Sequence, residues 1–436
     1  MNPLARDLNQ TLETAAPEVF ASLSALGRRL YFPRGILSQS AEANARANRV
    51  NATIGIATEA GGPMYLPSIQ RHLANVDPKD AYPYASVAGR PGLRDLWREK
   101  LLAENPSLAG KRFGRPIVTS AITHGLALVG DLFVDPGDVL VLPDKLWGNY
   151  RLMYEVRYGG RIVTFPFFDG GGFATGAFAR ALEEQARTNE KLLVLLNFPN
   201  NPTGYMPTPP EAEAIASAIV ERAERGTKIV AICDDAYFGL FYHLGGATAV
   251  ESLFSSLANR HPNLLAVKLD GATKELFVWG LRCGFLTFGP GRANTAEAVA
   301  DVLDAKVRGA VRSGISNSPQ LSQSLVERAL SSPTIEDERK QKFETLAARA
   351  AKVHEVVHAP RYRESWEPYP FNSGYFMCIA VKGVEAEKVR VHLLERYGMG
   401  VIATGASDLR IAFSCVELGD VESLFETLHR AIQELQ

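Results

Sequence analysis

A chain of 436 residues exceeds what one compact core organises, so two bodies of about 100–200 residues each are expected. Its 47 basic and 48 acidic side chains nearly cancel, which leaves no basic footprint for nucleic acid and no global field to steer a ligand. The four cysteines (233, 283, 378 and 415) form no CxxC pair and have no histidine cluster nearby, so neither a disulfide framework nor a zinc or other metal site is expected, and the thiols read as buried and reduced.

The first thirty residues carry Asp7, Glu13 and Glu18 and lack an apolar h-region, so a secretory signal is not expected there. No apolar run approaches the ~20 residues of a membrane span, and the compartment is read as cytoplasmic. From residue 139 short apolar runs alternate with longer amphipathic stretches. The runs are Val139–Leu142, Ile162–Phe165, Leu192–Leu196, Lys228–Cys233, Leu264–Val267 and Phe285–Phe288. Most are apolar at nearly every position, which predicts strands covered on both faces and hence a mainly parallel sheet with helical crossovers. Pro210–Arg225, acidic at its start and basic at its end, reads as one such helix. Gly170–Gly172 reads as a surface turn, because no strand leads into it and no helix starts from it.

The last hundred residues follow another pattern. A long charged helix is expected over Glu336–Val357, then an apolar run at Gly374–Ala380, a helix at Glu385–Tyr397, a strand at Leu409–Phe413 and a terminal helix at Val421–Leu435. The fold class is therefore α/β: a large domain with a mainly parallel central sheet flanked by helices (60–315), plus a smaller α+β domain built from 1–59 and 316–436.

Parallel sheets bind ligands beyond the carboxyl ends of their strands. Three successive strands end in polar residues: Leu192–Leu196 runs into Asn197-Phe-Pro-Asn-Asn-Pro-Thr-Gly204, Ile229–Cys233 into Asp234-Asp-Ala-Tyr237, and Leu264–Val267 into Lys268-Leu-Asp-Gly-Ala-Thr-Lys274. An amide, a carboxylate, a phenol and an amine thus converge on one edge.

With the spacing from Lys274 to Trp279-Gly-Leu-Arg282-Cys-Gly284, these motifs resemble the fold-type-I pyridoxal-phosphate aminotransferases, class I/II, and within them the aspartate aminotransferase branch. The resemblance runs from about Asn51 to Phe413. It implies that Lys274 holds pyridoxal 5'-phosphate as a Schiff base and shuttles the Cα proton, and that Asp234 pairs with the pyridine nitrogen. It implies that Asn201 and Tyr237 bond the ring's phenolic oxygen and that Arg282 grips the phosphate. Ala121, Ile122 and Thr123, before an apparent helix His124–Phe133, would meet the phosphate at a helix N-terminus, with Thr273 beside them. Trp147 matches the aromatic that stacks on the ring, and Tyr84 the tyrosine that reaches the phosphate of a neighbouring subunit, which implies a homodimer with shared sites.

Two arginines concern substrate: Arg410 matches the clamp for the α-carboxylate, near Gly55 and Asn201, and Arg312 the arginine that holds a distal carboxylate across the dimer. The sequence departs from the family at Gly271, where a serine is usual, and at Ala121-Ile122, where glycines are usual. The resemblance implies transamination between an amino acid and a 2-oxo acid, first aspartate or glutamate with 2-oxoglutarate. An aromatic or broad-range aminotransferase, a carbon–sulfur β-lyase on the same scaffold, or a cofactor-binding sensor domain are the alternatives. No nucleic-acid or membrane partner is expected.

Overall fold

A computed structural model describes residues 1–33 and 35–436. Its centre is a seven-stranded sheet. In chain order the strands are β1 (Ile117–Ser120), β2 (Val139–Pro143), β3 (Arg161–Phe165), β4 (Lys191–Asn197), β5 (Lys228–Asp234), β6 (Leu264–Gly271) and β7 (Cys283–Pro290). They lie side by side as β1-β7-β6-β5-β4-β2-β3. Every neighbouring pair is parallel except the two that involve β7, which runs against both β6 and β1.

The unbroken apolar runs follow from burial on both faces. Leu193, Leu195, Val230, Ile232, Val267 and Leu269 point to one side, where helix α1 (Ala121–Phe133) adds Leu126 and Val129. Their alternating neighbours Leu192, Val194, Ile229, Ala231, Leu264 and Ala266 point to the other, against Phe178 and Leu182 of α2 (Thr175–Ala186) and Ile215 and Ile219 of α3 (Pro209–Glu224). Two layers of helix sandwich the sheet.

Several expectations change. β1 was not foreseen, β6 extends four residues further than its apolar run, and α1 begins at Ala121 rather than His124. The glycine run does have a strand leading into it: it is the tip of a small hairpin pairing Phe168–Asp169 with Gly172–Phe173. Gly170 and Gly171 lie in the left-handed region there, at φ +58° and +90°.

The smaller body centres on a four-stranded antiparallel sheet, β8 (Trp366–Pro368), β9 (Met377–Val381), β10 (Ile402–Ala403) and β11 (Asp408–Ile411), in the order β8-β9-β11-β10. It packs against helices Ala386–Tyr397 and Val421–Gln433. Val50–Asn51 pairs with Met399–Gly400, which ties the early chain to this body. The long helix α4 (Ile335–Val357) belongs to both: Ile335 and Leu346 pack in the large-sheet core, Ala350, Val353 and Val357 in the small one. The helix Gln320–Leu330 also packs its Val326 and Ala329 into the large core. We therefore propose that the division falls inside α4 rather than at residue 315, where the sequence pattern placed it. Among the described residues no helix is long and apolar enough to cross a membrane.

Under the sheet's active edge, Lys268 of β6 is fully buried and paired with Asp235, and its ammonium lies 3.4 Å from Asp270. Asp235 also accepts a hydrogen bond from Ser252 at 2.6 Å. Removing the cation alone would strand two buried carboxylates, whereas the intact pair is nearly neutral in its net contribution. Lys268→Met is therefore expected to lose about 3–5 kcal/mol of stability, read as a lower urea midpoint at unchanged m-value. Adding Asp235→Asn to it should recover part of that loss.

Candidate active site

Parallel register sets the site. Asp234 at the end of β5 lies beside Asn197 at the end of β4 and Leu269 on β6, so β4, β5 and β6 deliver their polar ends to one edge. The Asn197 amide donates to the Asp234 carbonyl at 2.8 Å, and its side-chain oxygen accepts from the Asn201 N–H at 2.7 Å. That fixes the loop in which Asn201 stands. One carboxylate oxygen of Asp234 accepts from the Tyr150 hydroxyl at 2.5 Å and the other from the Ala236 N–H at 3.2 Å. Burial pushes the Asp234 carboxyl up to about 6, although the Tyr150 hydrogen bond and the Lys274 charge both favour its ionised form.

Lys274 lies in a short helical turn, Ala272–Glu275, just past β6. Its ammonium sits 4.8 Å from the centre of the Tyr237 ring. Burial brings its pKa down to about 8; Asp234 opposes the shift and Arg282 adds to it. The Tyr237 ring in turn contacts Tyr375 and Phe376, at centroid distances of 5.4 and 5.5 Å. Tyr375 donates its hydroxyl to the Lys274 carbonyl at 3.2 Å, which holds the lysine turn from the small-body side.

Arg410, on β11, reaches this edge from the smaller body. Its guanidinium donates to the Asn201 side-chain oxygen at 3.1 Å and to the Thr53 carbonyl at 2.8 Å, and lies 4.2 Å from the centre of the Phe376 ring. Its Nε is buried without a partner. A carbon added to Gly55 would come within 3.4 Å of the Phe376 ring and 3.9 Å of the Tyr237 hydroxyl, so the Gly55 backbone lines the same space.

On the other flank Ala121, Ile122 and Thr123 form the first turn of α1, with Ala121 in the left-handed region at φ +64°. The close backbone approach expected of glycines in that loop is provided instead by Gly284, where an added carbon would lie 2.6–2.9 Å from the Ala121–Ile122 backbone. Gly271 pairs with Gly284 across β6 and β7, and a carbon there would meet the β7 backbone at 2.9 Å. Thus the serine usual at this position has no room. The hydroxyl that remains, Thr273 Oγ1, is buried and unpartnered. Arg282 is exposed in this chain, and its guanidinium donates to the Trp279 carbonyl at 3.1 Å. One hydroxyl without a protein partner, a cation and a helix start on this flank thus fit a phosphate group.

The model of the family described as aminotransferase class I and II matches residues 67–428. The chain belongs to this family. It is 26% identical over 205 residues to an aspartate aminotransferase of Musicola paradisiaca, a match covering 47% of each chain, so it spans about half the length of that relative. It is 20% identical over 413 residues to the cytoplasmic aspartate aminotransferase of Saccharomyces cerevisiae, covering 89% of this chain and 91% of the other. Its fold superposes on the crystal structure of an aminotransferase from Anaerococcus prevotii with a TM-score of 0.81, at 23% identity and over 94% and 98% of the two chains.

Of the residues that the family resemblance singles out, the chain brings together Gly55, Asn201, Asp234, Tyr237, Lys274 and Arg410, and sets Ala121–Thr123 against the strand that follows Arg282. Trp147 stands in the loop after β2 and makes an edge contact with Tyr150 at 5.4 Å. Two residues are not brought to the cluster by this chain. Tyr84 is 88% exposed. Arg312 lies exposed in the last turn of the helix Ala296–Gly314 and donates to Ser316 at 2.6 Å.

Sequence reasoning missed Tyr150 and Asn197 as site residues. Asn197 was findable, because it ends a strand as Asp234 does. Tyr150 was not: it meets Asp234 only through an 84-residue separation that the fold closes.

The raised Asp234 pKa has a measurable consequence. Between about pH 4 and 6 the folded, cofactor-free chain keeps a proton on Asp234 that the unfolded chain releases. Stability contributed through this group therefore falls as pH rises across that window, by about 3 kcal/mol. Urea unfolding of cofactor-free wild type and Asp234→Asn at pH 4–7 should show the wild type losing stability relative to the variant as pH rises. Tyr150→Phe, which removes a donor to the carboxylate, should push the upper limit of the window higher. A difference between wild type and Asp234→Asn that stays flat with pH contradicts the assignment.

Proposed function

We propose that this chain is a transaminase that uses pyridoxal 5'-phosphate held by Lys274, exchanging an amino group between an amino acid and a 2-oxo acid. The observation that carries the reading is the meeting of Lys274, Asp234 and Tyr237 with the unpaired edge of Arg410 at one sheet edge. When bound, pyridoxal phosphate supplies an aldehyde that condenses with amines and a ring that takes up the electrons released at an amino acid's Cα.

The residues have separable tasks. Thr273, Arg282 and the start of α1 would hold the phosphate, with Tyr84 of a second subunit. Asp234, kept ionised by Tyr150, would hold a proton at the ring nitrogen, and Trp147 would cover one face of the ring. Asn201 and Tyr237 would direct hydrogen bonds to the ring's phenolic oxygen. Lys274, with its pKa near 8, is partly neutral at neutral pH and so serves as nucleophile and then as the base that moves the Cα proton. Arg410, desolvated and steered by Asn201, Thr53 and Phe376, would take the α-carboxylate on its free Nε edge, with Gly55 as the backbone wall.

Aspartate or glutamate with 2-oxoglutarate is the favoured substrate pair, with Arg312 from a second subunit as the distal clamp; this reading includes a homodimer and a cytoplasmic site of action. An aromatic or broad-range spectrum is the second reading, favoured by the rings of Phe376, Tyr375 and Trp147 around the site.

The test is a half-reaction screen on the yellow, cofactor-loaded protein. Aspartate and glutamate should bleach the visible band, and Lys274→Ala should lose about 10²-fold or more in that rate. Arg410→Lys should raise KM for every substrate by about tenfold or more, since a forked contact is lost. Arg312→Ala should weaken the two dicarboxylates selectively; equal weakening of aromatic donors overturns the dicarboxylate reading. Pyruvate and ammonia formed without a 2-oxo acid would make the chain a lyase.

A further inference from the structure

The large and small bodies meet beside Arg410 along two seams of different kinds. The first is made of main chain. The Asn372 and Ser373 N–H groups both donate to the Gly204 carbonyl, Gly374 donates to Leu240, and Tyr242 donates to the Asn372 carbonyl, at 2.9–3.0 Å. Gly204 has φ +74°, and any side chain there would overlap the Phe376 carbonyl. This seam is tightly fitted and uncharged.

The second seam is made of side chains alone. Lys145 follows β2, two residues before Trp147, and its carbonyl accepts from Asn200 at 3.1 Å. Its ammonium donates to Asp408 at 2.5 Å and to the Tyr369 hydroxyl at 3.2 Å, and lies 4.6 Å from the Tyr369 ring centre. Tyr369 donates to the second Asp408 oxygen at 2.9 Å and stacks on Phe168, at 5.6 Å and 14°. Phe168 leads into the glycine hairpin, which had no part in the site until here. Asp408 opens β11 two residues before Arg410. The side chains of Lys145 and Asp408 are 21% and 12% exposed, dry enough for the pair to matter and wet enough for it to open.

We propose that Lys145, Asp408 and Tyr369 form a latch that sets the distance between the Trp147 loop and Arg410, and so act as positioning residues for the carboxylate of the substrate. The clause about substrate rests on the transamination reading; the clause about spacing does not. With the main-chain seam as the fixed edge, opening the latch leaves β11 and Arg410 free to tilt away from the ring-covering loop. Carboxylate binding would then include the free energy of re-closing.

Lys145→Met in the loaded enzyme should raise KM for both amino acid and 2-oxo acid about tenfold while kcat stays within about threefold, and Lys145→Arg should restore KM to within about twofold. Hydrogen exchange supplies the second readout. Amides of residues 144–150 and 404–411 should exchange faster in Lys145→Met, with β4–β6 unchanged. Tyr369→Phe keeps the ion pair and removes one hydroxyl; it should give a smaller shift of the same kind, and it decides the matter if Lys145→Met does not fold. Unchanged exchange in those two segments, or a fall in kcat at constant KM, overturns the latch. A wild type that transfers no amino group defeats the transamination reading by itself, and the latch then stands or falls on the exchange result.

Discussion

Asp234 is a carboxylate at the end of a strand that is apolar and buried from Ile229 to Cys233, and the surrounding structure is arranged to tolerate it. Desolvation alone would leave it protonated. Tyr150, the Ala236 N–H and the charge of Lys274 pull the other way, and the balance falls near 6. The same burial acts on Lys274 in the opposite sense and brings its amine near 8. Two groups of opposite charge, moved toward each other in pKa by one dry environment, can each exchange a proton close to neutrality. A hydrophilic edge with the same residues would leave Lys274 fully charged and so not poised to act as a nucleophile.

Holding that balance requires the strand ends to be in register. Because β4, β5 and β6 are parallel neighbours, Asn197 sits level with Asp234, and the turn carrying Lys274 rises beside both. β7 reverses direction, and it is this reversal that brings Gly284 against Gly271 on one side and Ala121 on the other. The two glycines let three backbones approach closely at the start of α1. The absent serine is thus explained by packing: the position pairs with another glycine across β6 and β7, and a side chain there would push β7 away from the helix start.

Much of this was legible in the sequence for a physical reason. Strands buried on both faces are apolar through their length, so β2, β4, β5 and β6 announced themselves, and polar residues at their ends could only lie on one edge. The direction of β7 was not legible, since a strand buried on both faces looks the same whichever way it runs. Nor was the core that the helices after residue 315 enter: Val326, Ala329, Ile335 and Leu346 follow a helical period, and that period does not say which core receives them. Tyr150 needed the fold to meet Asp234. The roles proposed for Tyr84 and Arg312 have partners on another chain, so neither their sequence neighbours nor their surroundings in this one decide them.

Arg410 shows how the two bodies are used together. A guanidinium that is fully desolvated, with one carbonyl, one amide oxygen and one aromatic face as company, has fewer acceptors than donors. Leaving a buried donor unpaired costs about 1–3 kcal/mol, and a fold free to satisfy it would do so, as it does for buried Arg349 with two carbonyls and Glu417. At Arg410 the unpaired Nε is kept, and the neighbours that could have moved to meet it are themselves fixed: Asn201 by Asn197, Thr53 by Asn51, Phe376 by the Gly204 seam. The deficit is therefore rigid. A carboxylate entering there would find a donor already desolvated and oriented, so the cost of preparing the site falls on folding rather than on binding.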